Sequence, residues 1–190
     1  MVDWERLEAA LGQQLQGPRL EHVRRVRLTA RSLAERYGAP VEAAEVAGLM
    51  HDYARSLPGE TLLAEARKRQ LVIDPSEEQE PGLLHGPVAA ALLEEQGLVT
   101  DPATLEAIRW HTTGRPGMGL LEKVVWLADY IEPGRTFPGA AKVRAEAEKD
   151  LDGALIMAMD NCLQFLINKG YLIHLYTVKA RNWLLTSRPS

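Results

Sequence analysis

A chain of 190 residues can bury one good core, so a single domain over 1–190 is the expectation. With 46% hydrophobic and 25% charged residues, it has the balance of an ordinary globular protein rather than a disordered or membrane one. A net charge of −4 gives the surface as a whole no electrostatic reason to hold nucleic acid, so a phosphate-bearing ligand would need local arginine or metal.

In chain order, Leu7, Leu11 and Leu15 recur four apart and predict a helix over 3–15 with Asp3 as its cap. Gly17-Pro18 breaks it. The next helix, 20–37, carries Val26, Ala30, Leu33 and Tyr37 on one stripe, with His22 on the same face and Gly38 closing it. Pro40 opens an apolar helix that runs into His51-Asp52, and Pro58-Gly59 ends that unit. An amphipathic stretch over 60–71 precedes 74–82, an acidic loop of turn formers expected to be solvated and kept away from any polyphosphate. A helix over 83–96 places His85, Val88, Ala89 and Leu92 on one face, and Asp101-Pro102 starts another that ends at His111. After the flexible connection 112–119, Leu121, Val124, Val125 and Ala128 make a stripe that Asp129 continues. A loop over 132–139, an amphipathic helix over 151–168 and a last helix ending near Leu185 complete the pattern, with 186–190 read as a frayed tail. No period-two alternation appears, so the fold class is all-α, with about eight to ten helices. The single cysteine, Cys162, lies on an apolar face and cannot form an intrachain disulfide. No run approaches membrane-span length, and 1–5 lacks a basic-then-apolar leader, so a cytoplasmic protein with no membrane partner is expected. The apolar C-terminal helices could support a homodimer.

Four histidines (His22, His51, His85, His111) and two aspartates (Asp52, Asp129) each stand on, or at the end of, the apolar stripe of their own helix. Any one of them alone reads as a hydrogen-bonded core residue. Together they would turn six polar groups into one core, where unpaired burial costs about 1–3 kcal/mol per group, and a shared cation removes that cost. Imidazoles mixed with carboxylates, without thiolate, suit iron, manganese, zinc or another first-row ion. Spread over about 110 residues and overfull for one tetrahedral ion, the set points to a catalytic rather than a structural centre, with room for two ions bridged by Asp52. Arg19, Arg55 and Arg135 are candidates for a phosphate clamp, the alternative for Arg19 and Arg135 being a solvated surface charge. Glu132 reads as a turn residue in preference to an acceptor behind the ligands. His174 either contacts a nucleotide or caps a turn. The four tryptophans read as core or interface residues, with Trp110 notable for adjoining His111.

The order His…His-Asp…His…His…Asp resembles the His-Asp (HD) superfamily of metal-dependent phosphohydrolases. Within it, Ala47-Gly48-Leu49-Met50-His51-Asp52-Tyr53, Leu84-His85-Gly86, Trp110-His111-Thr112, Ala128-Asp129-Tyr130-Ile131-Glu132-Pro133-Gly134-Arg135 and Gly170-Tyr171-Leu172-Ile173-His174 are similar to the symmetrical dinucleoside tetraphosphatases over 19–182. The resemblance implies an all-helical HD domain that splits diadenosine tetraphosphate into two ADP with a metal-activated water. It implies His22, His51, Asp52 and Asp129 at a first metal, most readily iron, with manganese, cobalt or zinc as substitutes. His85 and His111 would face a second ion or the phosphates, and Asp52, His51 and Arg55 would be catalytic. Nucleotide contacts are implied for Arg19, His22, Arg55, His85, His111, Thr112, Asp129, Arg135, Gly170, Tyr171, Leu172, Ile173, His174 and Leu175. Three positions depart from the family: Arg55 replaces Lys, Val23 replaces Thr and Leu175 replaces Pro. Arg55 keeps the charge but exchanges a point donor for a planar fork. A nucleotidase of the same superfamily, a nucleotide sensor without catalysis and a purely structural metal remain open. A cyclic-dinucleotide phosphodiesterase fits less well, because the Gly-Tyr-Pro signature is missing.

Overall fold

The computed structural model describes residues 2–187 and contains eleven α-helices and no strand among them. Helix α1 (Trp4–Gln14) starts at Asp3, whose side chain accepts from the Arg6 N–H, as expected for a cap. The long α2 (Gly17–Tyr37) turns His22, Val23, Val26, Ala30 and Leu33 inward and ends at Gly38 in the left-handed conformation, φ 77°. The short, almost wholly buried α3 (Val41–Met50) packs along it. Next come α4 (Gly59–Lys68) and α5 (Pro75–Gln79), then a 3-10 turn, Pro81–Leu84, that leads into α6 (His85–Glu95). Asp101 caps α7 (Pro102–Trp110) by accepting from the Thr104 N–H. The chain then forms α8 (Leu120–Ile131), α9 (Ala140–Ala147), α10 (Leu151–Lys169) and α11 (Leu175–Ser187).

The core that positions the site is made by α2, α3, α7 and α8, with Val26, Ala47, Leu49, Met50, Ile108, Val124, Val125 and Leu127 fully or nearly fully buried. Gly48 sets how closely α2 and α3 approach. A Cβ there would stand 3.0 Å from the Arg27 Cα and 3.1 Å from the Ala30 Cβ, so the backbone itself would have to move. Gly48→Ala is therefore expected to lower stability by about 1–3 kcal/mol, read as a lower denaturation midpoint with an unchanged slope.

The apolar helix does end at the His51-Asp52 pair: α3 stops at Met50, His51 is its C-cap and the pair opens a run of turns. Ending the helix there frees the His51 ring to bond a main-chain carbonyl of the last turn. Other expectations change. The acidic stretch 74–82 is a short helix and a 3-10 turn rather than a solvated loop. Asp74 and Glu77 form a capping box, and Glu77 is buried against His174. Helix α9 was not anticipated, its eight residues being too few for a clear stripe. Its Arg144 donates to the carbonyls of Ile131 (2.6 Å) and Glu132 (2.9 Å), which ties down the loop after α8. Of the expected frayed tail, Thr186 and Ser187 are helical, and 188–190 lie outside the described residues. Phe165, Ile167, Tyr171, Leu172 and Leu175 remain exposed on the apolar C-terminal surface. No described helix is long and apolar enough to cross a membrane.

Candidate metal centre

Five of the helical units deliver the six candidate ligands to one place. His22 comes from the second turn of α2, His51 and Asp52 from the end of α3, and His85 from the first residue of α6. His111 follows the last residue of α7, and Asp129 stands in the last turn of α8. The His22 and His51 ring centres are 5.5 Å apart, those of His51 and His111 4.7 Å, and those of His85 and His111 4.8 Å. All four imidazoles and Asp52 are buried, while the Asp129 side chain is 23% exposed and so opens the site to solvent. Two overlapping triplets have their donor atoms within 4.8 Å of one another: His22, His51 and Asp129, and His51, Asp52 and His111.

The hydrogen bonds behind the rings fix their orientation. The Nδ1–H groups of His51, His85 and His111 donate to the carbonyls three residues earlier, Gly48 (2.9 Å), Gly82 (2.6 Å) and Ile108 (2.7 Å). The Nδ1–H of His22 donates instead to Glu132 Oε1 at 3.1 Å. Each ring therefore turns its Nε2 lone pair inward, as metal-bound imidazoles do. The inward atoms meet as acceptor against acceptor. His85 Nε2 and His111 Nε2 stand 2.9 Å apart, with the Thr112 hydroxyl 3.3 Å and 3.1 Å from them. His22 Nε2 lies 3.0 Å from Asp129 Oδ1, yet both it and His51 Nε2 lack a geometrically sound hydrogen bond. Where no proton lies between them, buried lone pairs facing a carboxylate repel, and a divalent cation is a group that can satisfy them together. The donor set fits such an ion. His22, His51, Asp52 and Asp129 could hold one ion, and His85, His111 and Asp52 could face a second.

Asp52 links the two. Its Oδ1 lies 3.2 Å from His85 Nε2 and 3.9 Å from His111 Nε2, and its Oδ2 lies 3.7 Å from His51 Nε2 and 3.9 Å from His22 Nε2. Burial would raise its pKa, but the surrounding imidazoles of His51, His85 and His111 hold it well below the usual carboxylate range. Burial likewise opposes ionisation of Asp129, and the adjacent His22 ring, His51 and Arg135 hold it low. His111 is pushed down to about 3, first by burial and then by His51 and His85, so it stays neutral and available as a ligand at physiological pH. For His22, burial works against a second proton, but Asp129 and Glu132 outweigh it and the pKa rises. An incoming ion must displace that proton. Affinity for Mn2+ is thus expected to fall by about tenfold per pH unit below the raised His22 pKa and to level off above it. Calorimetry in two buffers of different ionisation heat would show the proton released.

The arginines are arranged differently from a free clamp. Arg19 donates to Asp52 Oδ2 at 2.9 Å, and Arg135 donates to Asp129 Oδ1 at 2.6 Å and to the Asp129 carbonyl at 3.0 Å. Both guanidiniums thus stand behind ligand carboxylates. Arg55 is exposed beside Gly82, the residue whose carbonyl holds His85, and makes no hydrogen bond to the cluster. His174 caps the start of α11 by accepting from the Tyr176 N–H at 3.1 Å, and its Nε2 faces Glu77 at 3.6 Å. Gly170 ends α10 in the left-handed conformation. Tyr171, Leu172 and Leu175 are exposed and Ile173 is half-buried, and among the described residues none of them makes a hydrogen bond or ion pair to the candidate ligands.

Beside the centre opens a cavity of about 780 Å³, whose lining includes His111, Thr112, Asp129 and Arg135 on the ligand side and Tyr130 and Phe137 farther out. The polar part of its wall given by α10, Asn161, Gln164 and Asn168, carried no signal in the sequence, because a polar helix face reads as solvent-facing; Phe165, read on the apolar stripe of that helix, is exposed at this wall rather than buried in the core. Cys162 packs against the core, as its apolar face implied, and also lines this cavity; burial raises its thiol to about 11, so it is not a nucleophile.

A helical bundle that converges histidines and aspartates on a buried divalent-metal site is the architecture of the HD domain, and the chain belongs to the HD-domain family, whose model matches residues 19–162. Within the family its relatives are more particular. It is 43% identical over 181 residues to the symmetrical bis(5'-nucleosyl)-tetraphosphatase of Bacillus subtilis, covering 94% of this chain and 95% of that one. It is 34% identical over 181 residues to the protein of the same name from Staphylococcus aureus, covering 94% and 93%. A crystal structure from Clostridium acetobutylicum, described as a predicted HD superfamily hydrolase involved in NAD metabolism, superposes with a TM-score of 0.95 at 38% identity, over 99% of this chain and 100% of that one.

Proposed function

We propose that the protein hydrolyses dinucleoside tetraphosphates at the middle of the phosphate chain, giving two nucleoside diphosphates. The observation that carries the reading is the ring of inward Nε2 lone pairs and carboxylates that need a cation, beside a cavity of nucleoside size. The names of the relatives supply the substrate class. When bound there, a divalent ion lowers the pKa of a water and polarises a phosphoryl oxygen. Iron is the ion this His-and-carboxylate set is proposed to hold, with manganese, cobalt or zinc as substitutes. In the reaction, water adds across the central P–O–P bridge: its hydroxyl joins one phosphorus, and the leaving diphosphate takes the proton.

The chain's own residues divide the work. Asp52 and Asp129 supply negative charge, and Asp52 joins the two halves of the donor set. Arg19 and Arg135 orient those carboxylates and become free for phosphate oxygens to the extent that an ion takes the carboxylates from them. Thr112, between His85 and His111, is placed to donate to a phosphoryl oxygen. Arg55, at the rim beside Gly82, is the remaining cation for the outer part of the chain, a role its exposure permits. One nucleoside enters the cavity lined by Tyr130 and Phe137, and 170–175, which continues from the α10 end of that cavity, is the nearest exposed segment for further contacts.

Incubating the Mn2+-loaded protein with diadenosine tetraphosphate and separating the products tests the reaction. ADP as the sole nucleotide product is expected. AMP plus ATP, or turnover only of nucleoside monophosphates, would replace this reading with that of another nucleotide hydrolase. Tight ADP binding without turnover would replace it with that of a sensor.

A further inference from the structure

Among the groups behind the ligands, one buried acid has no assigned part. Glu132 is 2% exposed. Its Oε1 accepts the Nδ1–H of His22 at 3.1 Å, and its Oε2 accepts from Arg25 Nε at 2.6 Å and from the Gly134 N–H at 2.6 Å. With three donors gathered on its two oxygens, it stands as an acceptor. The other three imidazoles take their orientation from carbonyls three residues back, at helix ends and turns. His22 cannot, because it lies within α2, where the preceding carbonyls are used by the helix. Its acceptor has to come from another element, and Glu132 at the end of α8 is that acceptor. The loop is shaped for this contact: a Cβ on Gly134 would come within 2.6 Å of Arg25 Nη2, so a side chain there would push the guanidinium off the carboxylate.

We propose that Glu132 is a positioning residue that locks His22 in the Nδ1–H tautomer, so that the Nε2 lone pair faces the ion, with Arg25 and Gly134 holding Glu132 in place. The inference rests on the metal reading of the cluster. Replacing the carboxylate with an amide removes the charge and lets the group rotate to offer either an oxygen or an NH2 to Nδ1, so the ring loses its single tautomer. A buried carboxylate behind a ligating imidazole also raises its basicity, and losing such a partner lowers metal affinity by about 10–100-fold.

Two readouts test it. In metal-free protein carrying 15N-histidine, at alkaline pH, long-range 1H–15N spectra are expected to show His22 protonated on Nδ1 and bare on Nε2, and E132Q to show a mixture. Titration of metal-free protein with Mn2+ is expected to give a Kd about 10–100-fold weaker for E132Q, with KM for the dinucleotide unchanged at saturating metal. R25M, which leaves Glu132 against His22, is expected to weaken Mn2+ binding less and in the same direction. A wild-type His22 protonated on Nε2, or an E132Q protein that binds Mn2+ as tightly as wild type, would overturn the proposal. The wild-type spectrum decides even where E132Q does not fold. If wild type takes up no divalent ion at all, the metal reading fails, while the spectrum still judges the Glu132–His22 contact.

Discussion

Asp52→Ala removes hydrolysis of the dinucleotide, with kcat expected to fall by about 10³-fold or more. No other side chain touches as much of the centre. Its two oxygens lie within 3.9 Å of the Nε2 atoms of His22, His51, His85 and His111, and one of them holds Arg19. Deleting it leaves four inward lone pairs with a single carboxylate among them and releases the half-exposed Arg19. Asp52→Asn is the sharper test, because it keeps the shape and removes only the charge. It is expected to fold, with a melting temperature within a few degrees of wild type, and to be inactive. An Asn variant with more than a tenth of wild-type kcat would show that the charge is not needed and would remove Asp52 from the reaction.

The second large effect is that of taking the metal away. Dialysis against a chelator is expected to abolish turnover, and Mn2+, Co2+ or Fe2+ to restore it. The helical circular dichroism should persist throughout, because the core of Leu11, Leu15, Leu49, Leu93, Ile108, Leu127, Leu155 and Met159 is complete without an ion. Stability should still respond. Binding to the folded state alone adds about 2.7 kcal/mol at a metal concentration of 100 Kd, so the metal-free protein should melt several degrees lower. Loss of helix on chelation would instead mark the ion as a structural staple, and unchanged turnover would exclude a metal-dependent reaction.

Much of this centre was legible in the sequence because its ligands obey helical periodicity. His22 four before Val26, and Asp129 four after Val125, can only face the same way as their apolar neighbours. What periodicity could not show was the environment beyond each helix. Arg19 and Arg135 read as either a phosphate clamp or solvated surface charges, and only the tertiary arrangement shows them paired with Asp52 and Asp129. Glu132 read as a turn residue because Pro133-Gly134 follows it, yet that turn folds its carboxylate back onto His22. The stretch 74–82 carried strong turn and charge signals, and burial of Glu77 beside His174 depends on a contact about 100 residues away, which no local pattern encodes. The cavity wall from α10 was hidden for a similar reason, since Asn161, Gln164 and Asn168 have the composition of a solvated face.

Diffraction from crystals soaked in Mn2+, recorded on the short-wavelength side of the manganese absorption edge, bears most directly on the whole account. An anomalous peak is expected between the His22 and His51 rings, in bonding reach of both and of the Asp52 and Asp129 carboxylates. A map without density there, or with manganese bound only at surface carboxylates, would mean that these six residues do not form a metal centre.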